Sequence, residues 1–111
     1  EGTELVYEAS IGLAQAALGT RIGVPMVEGP EEEVEIRAGT QPGTEIRLRG
    51  KGVPHLRRPG TRGDLHVVVD VAVPTKLSRA EREALLAYAR AADEPISDGA
   101  GLLERVRDKL A

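Results

Sequence analysis

The stretch "EIRLRGKGVPHLRRPGTRGDLHVVVDVAVP", Glu45 to Pro74, decides how the rest of the chain is read. Its two ends alternate. Ile46 and Leu48 point one way and Glu45, Arg47 and Arg49 the other. Leu65, Val67, Val69, Val71 and Val73 then share one face of a second strand, with Val68 on a partly covered opposite face. Between the strands lie Arg47, Arg49, Lys51, Arg57, Arg58 and Arg62, with no acid until Asp64. A Walker loop fails on spacing, because Glu45 stands where the first glycine belongs and Gly52 follows Lys51. A dinucleotide fingerprint fails because His55 takes the third glycine position after Gly50 and Gly52. A nucleic-acid grip has the charge but no aromatic side chains to stack bases, and the acids Glu28 and Glu31 to Glu33 oppose it. The residues favour a loop joining two antiparallel strands: glycines permit its backbone, prolines fix its corners and arginines keep its outer face wet.

Working outward, "LVYEASI" puts Leu5, Tyr7, Ala9 and Ile11 on one side of a half-buried strand. "GLAQAALG" predicts a helix of about two turns, with Leu13, Ala14, Ala17 and Leu18 at helical spacing and Gly19 closing it. Ile22, Val24 and Met26 share the face of a strand interrupted by Pro25, which cannot donate to a ladder; Ile22 to Val27 is therefore expected at a sheet edge. "VEIRA" alternates with Val34 and Ile36 inward, and Pro42-Gly43 suits a type II turn. Five short strands predict a mainly β fold, a small sandwich or partly open barrel, over residues 1–76. Ser78 to Glu81 is a capping box opening a helix within 77–93, whose apolar stripe is Leu85, Tyr88, Ala89 and Ala92. Residues 94–111 read as a linker and a last short helix, too short to be stable alone, so its stripe needs a partner. "GTELVYEASI" and "RGDLHVVVDV" faintly echo each other, with an acid and a leucine entering an alternating strand.

The bulk properties bound the function. The chain has 111 residues and a net charge of -3, so the whole is not tuned for polyanions. With two tyrosines, one methionine and no Phe or Trp, the core must be aliphatic. The absence of cysteine excludes disulfides and thiolate metal sites. No apolar run approaches the ~18 residues of a membrane span. The start at Glu1, with strand alternation beginning at Leu5, suggests a piece of a longer protein.

Three segments carry a resemblance: "LAQAALGTRIGVP", "IRAGTQPGTEIRLRGKGVPHL" and "RGDLHVVVDVAVPTKLS". In order and spacing they resemble the second C-terminal, peptide-binding β-domain of DnaJ-type co-chaperones, over about Glu4 to Arg90. The resemblance implies a cytoplasmic module that binds unfolded or partly folded polypeptide clients and forms a homodimer. It also implies a DnaK-type partner reached through a J-domain elsewhere in the parent. No His-Pro-Asp triplet and no C-x-x-C repeat is present, so this piece is expected to bind no cofactor. Zinc is implied only for another part of the parent, whose zinc-containing class the wording "RLRGKGVP" favours. "GLLERVRDKL" sits where the family carries its dimerising segment, which points to Leu102, Leu103, Val106 and Leu110. In the family the first β-domain is the better-established client site, which suits this second one to a spacer and secondary contact.

No catalytic constellation emerges. His66 and Asp64 lie two residues apart on an outer face, but no third group completes a triad. The run Glu31 to Glu33 lacks the spaced ligands of a cation loop. Client capture instead needs an open strand edge, whose backbone groups accept many sequences, beside apolar depressions. Ile22, Val24, Met26, Ile46 and Leu48 are the candidate client-contacting residues, each with ordinary core membership as the plainer reading. The alternatives are a purely structural dimerisation or spacer module and, third, a nucleic-acid module using the basic 47–62 loop.

Overall fold

The computed structural model describes residues 3–97. In chain order the elements are β1 (Leu5–Gly12), α1 (Leu13–Leu18), β2 (Thr20–Val24), β3 (Glu32–Ile36), β4 (Glu45–Leu48), β5 (Leu65–Ala72) and α2 (Arg79–Ala91). They fall into two compact units, Glu1–Pro74 with β1 to β5 and Thr75–Ala111 with α2. The mainly β architecture matches the expectation. Its strands form two small sheets, ordered β1-β5-β4 and β2-β3, rather than a closed barrel.

β5 lies between two neighbours, which explains its near-continuous apolar sequence. Leu65, Val67 and Val69 are buried, and Val68 on the other face is half-buried. β4 runs antiparallel to it, Leu48 opposite Leu65. β1 runs parallel to it, Leu5 opposite Leu65 and Ile11 opposite Val71. The two segments that echo each other in sequence therefore lie side by side in matching register. Val73, expected inward, is 71% exposed because the strand ends at Ala72.

β2 and β3 form an antiparallel hairpin, Thr20 opposite Ile36 and Val24 opposite Glu32. The strand expected to reach Val27 stops at Val24, where Pro25 has no N–H to continue a ladder. The inward faces meet in two aliphatic clusters. One holds Ala9, Val24, Val34, Leu65 and Val67; the other holds Ile11, Ala16, Ile36 and Val69, and Ile22 and Ile46 pack against both. Burying each of the larger side chains contributes about 1.5–3 kcal/mol.

The helix α1 departs from its predicted stripe. Leu13 and Leu18 are exposed and Ala16 is the buried residue. The chain has under two turns in which to orient itself, and its ends decide. The Gln15 side chain accepts the Gly12 N–H at 2.8 Å. The otherwise unpaired Ala16 carbonyl accepts the N–H groups of Gly39 at 2.8 Å and Thr40 at 3.1 Å. That tether turns Ala16 inward, where a methyl fits.

In the second unit, Ser78 Oγ accepts the Glu81 N–H at 3.1 Å and Glu81 Oε1 accepts the Ser78 N–H at 2.7 Å, closing the predicted capping box. The Ser78 backbone N–H, then its hydroxyl, holds the Glu81 carboxyl below its ordinary range. Leu85 and Leu86 are half-buried and Ala89 is buried, but Tyr88 is exposed. The dimerisation residues Leu102, Leu103, Val106 and Leu110 lie outside the described residues.

Candidate functional site

The five residues expected to contact a client gather on one cluster. Val24 is fully buried and belongs to the core, whereas Ile22, Met26, Ile46 and Leu48 pack against the same cluster while remaining half-buried. They come from β2, the turn after it, and β4. Among the described residues, β3 is the only hydrogen-bonded backbone neighbour of β2, so one side of Thr20–Val24 carries free N–H and C=O groups. The site is thus a short open border next to four partly accessible apolar side chains. Chemically it can pair an extended backbone and shelter an aliphatic side chain.

The basic loop between β4 and β5 is built for a different purpose. It closes as a narrow hairpin in which Gly52 N–H donates to Gly63 at 2.8 Å, Gly63 N–H to Val53 at 3.0 Å and His55 N–H to Thr61 at 3.0 Å. Half of its cations meet the domain's own acids. Arg47 Nε lies 2.5 Å from Asp64 Oδ2, Lys51 Nζ lies 2.7 Å from Glu32, and Arg62 pairs with Glu28. Glu28 and Glu32, two of the acids that oppose a nucleic-acid grip, are partners of the basic stretch across the fold. That pairing weighs against a phosphate-binding surface, although Arg49, Arg57 and Arg58 stay exposed.

The hairpin also receives the chain entering β1. Val53 N–H donates to the Thr3 carbonyl at 2.9 Å, and Leu5 N–H donates to Asp64 at 3.0 Å. The Thr3 carbonyl passes so close to Gly52 and Gly63 that an added Cβ would lie 2.4 Å and 2.1 Å from it. These two glycines are therefore dictated by space rather than by turn conformation.

Beside this crossing, His66 stands between two carboxylates. Its Nε2 is 2.6 Å from Glu4 Oε1 and its Nδ1 is 2.5 Å from Glu45 Oε2. The other Glu4 oxygen accepts the Asp64 N–H at 3.0 Å, and Asp64 Oδ1 accepts the Gly50 N–H at 2.9 Å. Glu4, then Glu45, pushes the His66 imidazole above its ordinary pKa. His66, then the Asp64 N–H, holds the Glu4 carboxyl below its usual range, and the Gly50 N–H, then Arg47, does the same for Asp64. Sequence reading paired His66 only with Asp64. It missed Glu4 and Glu45 because they stand 62 and 21 residues away. With a carboxylate on each ring nitrogen, His66 ties Glu4 to Glu45. Among the described residues, no group of three or more His, Asp or Glu side chains is arranged to hold a metal ion.

Comparison with known proteins adds to this geometry. The family described as DnaJ C terminal domain matches residues 1–74. The chain is 43% identical over 110 residues to a chaperone protein DnaJ of Haloquadratum walsbyi, covering 99% of this chain and 28% of that protein. It is 48% identical over 100 residues to a chaperone protein DnaJ of Pediococcus pentosaceus, covering 89% and 26%. With a chaperone protein DnaJ of Streptococcus pyogenes it shares 44% over 111 residues, covering 98% and 29%. The chain spans under a third of the length of these curated relatives.

Proposed function

The chain belongs to the DnaJ C-terminal domain family, and from that premise we propose that it is a polypeptide-binding module that also carries a homodimerising tail. Unfolded or partly folded clients add as an extended strand to the open side of β2 and place apolar side chains against Ile22, Met26, Ile46 and Leu48. The observation that carries this reading is the unpaired border of Thr20–Val24 lying beside those half-buried residues. Val24 supports the site from beneath as core. Backbone pairing is indifferent to client sequence, and the apolar contacts are withdrawn when the client folds. In a longer parent, a J-domain would hand such clients to a DnaK-type chaperone. Pairing of two copies through Leu102, Leu103, Val106 and Leu110 would join two weak sites and raise avidity through effective concentration.

The test is titration of a labelled, extended apolar peptide into the 111-residue chain and its Met26→Asp variant, with circular dichroism as the check on folding. Met26 lies outside the strands and is half-buried, so the variant is expected to fold. A carboxylate there should weaken binding at least tenfold, about 1.4 kcal/mol. Unchanged binding by a folded variant would refute the site. A second reading, a dimerisation and spacer module without client capture, is favoured by the packing of all five residues on the core. It predicts no peptide binding by either protein. For the tail, solution mass with and without residues 96–111 should fall from dimer to monomer, and a monomer in both cases would remove the dimer claim.

A further inference from the structure

We propose that Glu4, His66 and Glu45 form a protonation-gated latch that fastens the chain entering β1 to the hairpin between β4 and β5. This proposal is independent of client binding. It rests on the way one imidazole is held between two carboxylates at the place where that chain crosses the hairpin.

A neutral imidazole has one N–H and one lone pair, and only the imidazolium can donate from both nitrogens. His66 has a carboxylate oxygen at 2.6 Å from one nitrogen and at 2.5 Å from the other. The geometry is therefore that of the cation. Loss of the proton would turn one of these contacts into a lone pair facing an anion, and that contact must open. The ionisable groups facing His66 are Glu4 from the segment before β1, Glu45 and Arg47 from β4, and Asp64 from just before β5. Arg47 is occupied by Asp64 at 2.5 Å, so it does not neutralise either carboxylate that holds the imidazole.

The contact that opens matters because Glu4 does two jobs. Through its other oxygen it accepts the Asp64 N–H at 3.0 Å, next to the Thr3 carbonyl that receives the Val53 N–H. Releasing Glu4 from His66 loosens the side chain that pins this crossing, while β1 itself remains paired with β5 from Leu5 onward. His66 is raised, so its contribution is complete below the ordinary imidazole pKa of about 6.5 and is lost as pH rises through the higher folded value. Glu4 is lowered, so its contribution is present above the ordinary carboxylate value and is lost as pH falls through the lower folded one. The latch is closed between these limits and opens on the alkaline side, above the ordinary imidazole pKa.

The test is an NMR pH titration of the 111-residue chain, read at the His66 imidazole and, by hydrogen exchange, at the Val53 amide. His66 should titrate above the ordinary imidazole value of about 6.5, and Glu4→Gln and Glu45→Gln should each move it back toward that value. Val53 protection, corrected for the intrinsic pH dependence of exchange, should fall several-fold across the His66 transition. In His66→Gln it should show no such step. Titration of His66 at the ordinary imidazole value of about 6.5 would overturn the proposal. So would a Val53 amide whose protection ignores the His66 transition, since that result assigns His66 a static structural role.

Discussion

Replacing Gly63 by alanine tests the crossing on which the first unit is closed. The added Cβ would sit 2.1 Å from the Thr3 carbonyl oxygen, 2.5 Å from its carbon and 2.7 Å from Glu4 Oε2. Non-bonded heavy atoms settle near about 3.5 Å, so the Thr3 carbonyl would have to retreat by more than about 1 Å. The obstacle is backbone on both sides and cannot be relieved by a rotamer change. Overpacking of this kind costs about 1–3 kcal/mol. Losing the Val53 N–H to Thr3 hydrogen bond, now 2.9 Å, adds about 1 kcal/mol. For a loss of about 3 kcal/mol in a domain of this size, Tm should drop by roughly 12–24 °C. Gly12→Ala is the control, because its Cβ would meet only Gln15 Oε1, at 3.5 Å. It should cost less than about 1 kcal/mol. Thermal unfolding followed by far-ultraviolet circular dichroism compares the two. A Gly63→Ala protein that melts within a few degrees of the parent, or together with Gly12→Ala, would refute the steric argument.

Three further outcomes follow from the geometry. Ile36, at 1% exposure in the second aliphatic cluster, should lose about 2–5 kcal/mol on change to alanine, measured by urea unfolding. Asp64→Asn removes a carboxylate held low by the Gly50 N–H and Arg47. Because the native group is depressed, its stabilisation exists above the ordinary aspartate pKa and disappears as pH falls through the folded value. The variant should therefore be less stable at neutral pH and show a flatter acid limb, and a parallel Tm-against-pH curve would contradict this. Ser78→Ala removes the hydroxyl that caps α2 and should cost that helix about 1 kcal/mol, visible as faster amide exchange in its first turn and no change in the strands.

The fold was largely legible because period-two alternation is a local property. Leu5 to Ile11, Val34 to Ile36 and Leu65 to Val69 all face inward as their spacing demands. Pairing was not legible in the same way. Nothing in the spacing says that β1 runs parallel to β5, and only the echo between the two segments hinted at it. The α1 stripe misled because a helix of 6 residues is oriented by its end contacts rather than by its own periodicity. At the candidate site, alternation found Ile22, Met26, Ile46 and Leu48 but could not separate them from Val24, whose burial depends on what lies across the sheets. The roles of Gly52 and Gly63 were hidden because glycine in a loop ordinarily signals backbone freedom. Here it records the path of a distant strand. Glu4 carried no local signal of its role, because only the fold brings it to His66, 62 residues away.

The most direct test of client capture is backbone amide exchange of the 111-residue chain with and without a saturating extended apolar peptide. Addition to the open border of β2 predicts slowed exchange at the amides of Thr20–Val24 that do not bond to β3, with shift changes at Met26, Ile46 and Leu48. Protection confined to the outer edges of β1 or β4, or no protection anywhere, would contradict it.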